Sequence, residues 1–185
     1  MAKGTVKVEK LEFYPLSPRR WDDFETLFGS NGACAGCWCA WFLMTNREFK
    51  DTGKEGHKVL IKRLVQSGAE PGILAYADGR AVGWVALGPR ERYKRLATSK
   101  LLGAVDEKLT WVISCFFIQR NFRRTGLTEK LIVAAIDYAR YREAKLLEAF
   151  PLDVEGKISS ASLYPGKSSV FHRLGFEEVA RRENR

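Results

Sequence analysis

The sequence predicts one mixed α/β (α+β) domain, and three observations carry that reading. Short apolar runs with strand character alternate with stretches of helical periodicity. Ile73 to Ala77 and Ala81 to Leu87 flank Asp78-Gly79, a dipeptide that favours the type I′ turn of a hairpin. From Trp111 to Phe150 a strand, a loop, a long helix and a second strand follow one another. A chain of 185 residues suits a single domain, one able to bury roughly 70% of its unfolded surface. No repeat or low-complexity linker divides residues 1-185.

In chain order, the segment Val6 to Leu11 reads as a short strand. Ser17 and Pro18 supply a cap and a first-turn proline, after which Trp21, Phe24, Leu27 and Phe28 share one helical face and Gly29 ends it. A second helix is expected from about Glu55 to Gln66. The hairpin comes next, and then Trp111 to Ile118, an almost unbroken apolar run that suits a strand buried on both faces. Leu127, Leu131, Ala134, Ala135 and Tyr138 line one side of a long helix. Lys145 to Phe150 is a predicted strand, a short helix lies near Ser168, and Phe176 to Ala180 forms the last predicted strand.

Composition excludes some classes. Eleven Phe, six Tyr and five Trp provide too much apolar area for a disordered chain. The apolar runs fall far short of the ~20 residues that a bilayer span needs. The N-terminus lacks a secretory h-region, so a cytoplasmic protein with no membrane contact is expected. A net charge of +9 attracts polyanions such as nucleic acid or phosphorylated cofactors, or it is only a solvated surface. Nucleic acid has charge alone in its favour, without helix-turn-helix or zinc-finger spacing. Oligomeric state is open, with a homodimer as one option.

Cys34, Cys37 and Cys39 crowd one segment, while Cys115 sits alone in the Trp111 to Ile118 run. Three readings apply: packed thiols, the wall of a functional pocket, or a zinc site. Zinc takes four ligands, and a fourth is not evident, so no metal is expected.

The segment Cys115 to Thr128 carries chemistry. A buried strand leads through a basic loop with one glycine into the first turn of an amphipathic helix. Helix starts present unpaired N–H groups and the positive dipole end, and glycine lets an anion approach closely. Arg123 and Arg124 add charge-assisted donors. One glycine is too few for a Walker loop or a dinucleotide fingerprint. On these grounds alone, an anion site and a merely capped helix with solvated arginines are both open.

Arg123-Arg124-Thr125-Gly126-Leu127-Thr128 resembles the acyl-CoA pyrophosphate loop of the GNAT acetyltransferase superfamily, Arg/Gln-x-x-Gly-x-Gly/Ala. Phe171-His172-Arg173-Leu174-Gly175-Phe176 resembles that family's terminal Tyr-x-x-x-Gly-Phe signature, in the expected order. The resemblance covers an acyl-CoA-binding core of about 72-180, preceded by an acceptor-side segment of about 5-71. It implies a single GNAT-like domain whose mixed, mostly antiparallel central sheet splits near its middle, flanked by helices. It further implies acetyl-CoA as cosubstrate, with Phe116, Phe117 and Ile118 along the pantetheine arm. The backbone of Arg123, Arg124, Thr125, Gly126, Leu127 and Thr128 would hold the pyrophosphate. The implied activity is acetyl transfer from acetyl-CoA to a primary amine of a small molecule or peptide by direct attack. The alternative is a non-catalytic acyl-CoA-binding or regulatory protein on the same fold.

Two residues depart from the family pattern. Thr128 stands where a small Gly or Ala is usual. Phe171 stands where many members place a tyrosine that protonates the leaving thiolate, and a phenyl ring donates no proton. Tyr164 and Cys115 are replacement donors, each with a purely structural reading beside it. Glu148 is the carboxylate best placed to act as base, with Asp153 just beyond it. Acceptor binding is expected from Cys37, Trp38 and Trp41, whose rings suit a cation or an apolar group.

Overall fold

The computed structural model describes residues 8–154, 158–159 and 161–185. A five-stranded sheet runs in the order β1 (Leu11–Pro15), β2 (Gly72–Ala77), β3 (Arg80–Pro89), β4 (Trp111–Ile118), β5 (Leu147–Ala149). The first four strands are antiparallel neighbours, and β5 joins β4 in parallel. A parallel pair needs a crossover; here it is α4 (Leu127–Tyr141), packed on one face of the sheet.

Two cores sandwich the sheet. On one face, α1 (Trp21–Phe28) and α2 (Asn46–Gln66) cover Trp84, which meets Phe24 edge-on at 4.9 Å. On the other, Leu127, Leu131, Ile132 and Ala135 of α4 pack on β2 and β3 with Phe171 of α5 (Ser168–Arg173). Aromatic pairs of this kind contribute about 0.5–1.5 kcal/mol beyond their buried area. The half-exposed Lys58–Glu25 ion pair beside α1 falls in a class worth about 0–1 kcal/mol. Packing, not surface charge, holds α1 to the sheet.

Several predicted elements hold and four shift. Pro18–Arg20 forms a 3-10 turn that leads into α1, and Gly29 ends it at φ 65°. Asp78 and Gly79 both take positive φ, as a type I′ turn requires. The strand expected at Val6 to Leu11 instead lies at Leu11–Pro15, because Ile73 to Ala77 pairs there; Val6 is outside the described residues. The helix expected from Glu55 begins at Asn46. Thr45 and Glu48 form a capping box, Glu48 N–H donating to Thr45 Oγ1 at 3.2 Å and Thr45 N–H to Glu48 Oε2 at 2.7 Å. Gly53, at φ 66°, interrupts the helix and hid that start from periodicity. The strand expected at Lys145 to Phe150 shortens to three residues. Phe176 to Ala180 is not a strand: Phe176 packs on Phe171 at 5.1 Å, and among the described residues the tail pairs with no strand of the sheet.

A short α3 (Lys94–Thr98) follows β3. Lys94 Nζ donates to Glu48 Oε1 at 2.7 Å and ties α3 to the start of α2. The Lys94 ammonium first, then the Thr45 N–H and hydroxyl, draw the Glu48 carboxyl down to about 2. Thr45→Ala removes one cap acceptor and is expected to cost about 1 kcal/mol in urea unfolding. Because Glu48 is depressed from 4.5, its contribution is complete above that value and disappears as pH falls toward about 2. Lys94→Ala should flatten the stability profile in that window; an unchanged profile would refute the pairing.

Candidate active site

β4 positions the site. It is paired with β3 along its whole length, with one bulge at Ser114, since Ala86 faces Cys115 and Leu87 faces Ile113. On its other edge β5 pairs only with Trp111, Val112 and Ile113. Beyond Ile113 the sheet parts. The chain segment Tyr164 to Ser168 enters the gap: Phe116 N–H donates to the Tyr164 carbonyl at 2.7 Å, and Leu152 N–H to the Gly166 carbonyl at 2.9 Å. Gly166 is required here, at φ 84° and with the Phe171 ring 2.9 Å from where a Cβ would stand.

At the far end of β4 the chain turns through Arg120–Phe122 into the loop before α4. Arg123 Nε donates to the Ile118 carbonyl at 2.9 Å, and Thr125 Oγ1 to the Phe122 carbonyl at 2.7 Å. Arg124 and Gly126 adopt φ of 65° and 80°. Left-handed residues set one apart in a turn are compatible with an anion-binding nest. Among the described residues, the N–H groups of Arg124, Thr125, Gly126, Leu127 and Thr128 have no protein acceptor. Arg120, Arg123 and Arg124 enter no ion pair there either. The Thr128 side chain is half-buried in the first turn.

Glu148 lies at the opposite end of β4, beside Val112, about 20 Å along the strand from Ile118. Its Oε1 is held by Arg90 and, at 3.1 Å, by the Thr110 hydroxyl, while Oε2 has no partner among the described residues. It faces a cleft of about 590 Å³ along the free edge of β5, lined also by Phe150, Asp153, Phe171 and Arg185. Asp153 is drawn down chiefly by Arg181. The Tyr164 ring packs near Phe42 at 6.2 Å, and its hydroxyl accepts from Arg185 Nη2 at 3.4 Å. Phe171 is a core ring, 2% exposed, edge-on to Phe116 and Phe176.

The three residues expected to bind an acceptor are close in sequence but not equivalent. Trp38 is buried and stacks on Phe28 at 5.7 Å. Trp41 keeps an exposed face and carries the Arg95 guanidinium 3.6 Å above its ring. Cys37 is half-buried. The Cys39 thiol hydrogen-bonds it and outweighs burial; with N–H groups of Cys39 and Cys34 and the charge of His57, this brings Cys37 down to about 6. Cys39 is pushed up by its contacts with Cys115 and Cys37 and by burial.

Periodicity gave no sign of His57 or Tyr93. His57 is buried on α2, with Nδ1 2.8 Å from the Gly36 carbonyl and Nε2 2.9 Å from that of Phe49. Carbonyls only accept, so the doubly protonated ring is the form that satisfies both. Tyr93, in the polar loop after β3, is buried beside Ser114, Cys39 and Cys115, and burial pushes its phenol well above the ordinary value. Neither residue belongs to a repeating pattern, so only folding reveals them.

Residues 30–157 match the acetyltransferase (GNAT) family. No curated protein matches the chain in sequence. Among solved structures, the aminoglycoside N-acetyltransferase AAC(6')-Iy in complex with CoA superposes with a TM-score of 0.56 at 15% identity, over 96% of this chain and 94% of that one. The aminoglycoside acetyltransferase HMB0005 from an uncultured soil metagenomic sample gives 0.51 at 20% identity, over 94% and 97%. At such identities the likeness is one of fold. Among the described residues no helix is long and apolar enough to cross a membrane. With more than half of its length matching in sequence, on a sheet that parts beside a helix start, the chain belongs to the acetyltransferase (GNAT) family.

Proposed function

We propose that this protein transfers the acetyl group of acetyl-CoA to a primary amine of a small molecule or peptide. One observation carries the reading: five consecutive N–H groups at the start of a fifteen-residue helix, among three arginines, find neither acceptors nor ion-pair partners among the described residues. That array suits a diphosphate, and the family supplies the cosubstrate that bears one. The parted edge of β4, from Phe116 to Ile118, is the surface for the pantetheine arm. There the Phe116 N–H is taken by the Tyr164 carbonyl at 2.7 Å, a bond the arm would have to displace.

In the reaction the amine lone pair attacks the thioester carbonyl, the amide C–N bond forms and the C–S bond breaks. An ammonium has no lone pair, so a base must first take its proton. Glu148, through its free Oε2, is the proposed base. The Tyr164 hydroxyl is the proposed donor to the leaving thiolate, since Phe171 has no proton to give. The acceptor side is Trp41 with Cys37, while Trp38 is buried against Phe28. The aminoglycosides that name the neighbouring structures are amines and make a rational first panel. The buried position of Phe171 favours the second reading, an acyl-CoA-binding protein without turnover.

Calorimetry with acetyl-CoA should give one-to-one binding, and Arg123→Glu should weaken it about tenfold or more without unfolding the protein. Unchanged affinity in that variant would remove the loop from the site. Thiol release from acetyl-CoA should depend on added amine; binding without release across a broad amine panel selects the second reading. Glu148→Gln should lower turnover by about 10²–10⁴ if the carboxylate is the base. Wild-type kinetics in the variant would assign the proton transfer elsewhere.

A further inference from the structure

Two segments distant in the chain bring Cys39 and Cys115 together beneath the acceptor side of the sheet, with Cys37 two residues from Cys39. Cys39 Sγ lies 3.5 Å from Cys115 Sγ across 76 residues of sequence. Trp84 Nε1 donates to Cys39 Sγ at 3.1 Å and fixes its position. Two residues before Cys39 in the chain stands Cys37, which is only half-buried and so remains open to a small solute. All four cysteines are free thiols. The His57 ring, whose two nitrogens both face carbonyls and which stacks on Phe49 at 3.9 Å, adds its charge to the field at Cys37.

We propose that Cys37, Cys39 and Cys115 form a peroxide-reactive site in which Cys37 is the attacking thiolate and a Cys39–Cys115 disulfide is the product. The Cys37 thiolate attacks one oxygen of hydrogen peroxide. The O–O bond breaks, Cys37 becomes a sulfenic acid, and hydroxide leaves and takes the Cys39 proton as water. The Cys39 thiolate attacks the Cys37 sulfur and expels a second hydroxide, which takes the Cys115 proton. Cys115 then attacks Cys39 and releases Cys37 as thiolate. The sum is two thiols and one peroxide giving one disulfide and two waters. Exchange runs in this direction because a thiol of low pKa leaves most readily, and Cys37 sits at about 6. From 3.5 Å, the Cys39 and Cys115 sulfurs need to close by about 1.5 Å to reach the S–S bonding distance of about 2.05 Å. The bond would tie the segment around Trp38 to β4 one residue before Phe116. The inference stands apart from the acetyl-transfer reading, because its readout is the thiols themselves.

The test uses the full chain carrying Cys34→Ser, which removes the exposed thiol and its intermolecular cross-links. After hydrogen peroxide and quenching with N-ethylmaleimide, intact mass should fall by about 2 Da relative to a reduced control before alkylation is counted. Non-reduced peptide mapping should join Cys39 to Cys115, and dithiothreitol should reverse it. Adding Cys37→Ser leaves the pair in place, and cross-linking should slow by about tenfold or more. Circular dichroism checks that each variant is folded. Cys39 and Cys115 recovered as separate alkylated thiols, or a Cys37→Ser variant that cross-links at the parent rate, would overturn the proposal.

Discussion

A strand has hydrogen-bonding groups on both edges, and β4 has a full partner on only one. β3 answers it from Trp111 to Ile118, whereas β5 answers three residues and then leaves. Buried backbone groups need partners, so the rest of the chain is arranged around that unpaired edge. The Tyr164 carbonyl takes the Phe116 N–H, Arg123 takes the Ile118 carbonyl, and Gly166 has no side chain because the Phe116 and Phe171 rings are against it. The loop that follows β4 inherits its position from the same strand, which places the unpartnered N–H groups of Arg124 to Thr128 at the mouth of the gap.

The two faces of the sheet serve different ends. Below, α4 supplies an apolar stripe that packs on the sheet, and its N-terminus follows the left-handed Gly126. Above, the segment between α1 and α2 is held by rings and by Arg95, which bonds the Trp41 carbonyl and Asn46 while lying over the Trp41 ring. That face collects Cys37, Cys39, Cys115, Tyr93 and His57, and there the proton affinities of Cys37 and Cys39 answer to one another. A low-dielectric setting strengthens every such coupling.

Legibility in the sequence followed local physics. The Asp78-Gly79 hairpin, β4 and α4 could be read because turn chemistry and apolar period act over a few residues. The start of α2 was written at Thr45 and Glu48 but was masked by Gly53, and β1 was displaced because alternation alone does not choose a register. β5 shrank and the final strand was lost because strand formation needs a neighbour, and Phe176 gains more by packing against Phe171 than by pairing. At the site, the loop was readable as a contiguous motif. The setting of Glu148 against Arg90 was not, since 58 residues separate them.

By itself the sequence determined the mixed α/β class, the strand–loop–helix unit and the basic loop that leads into α4. All three depend on contacts between near neighbours in the chain. Tertiary structure alone decided that Phe171 is a core ring, that Trp41 rather than Trp38 meets solvent, and that Cys39 lies against Cys115. Each of those depends on which distant segments share a face of the sheet, and no local period encodes that.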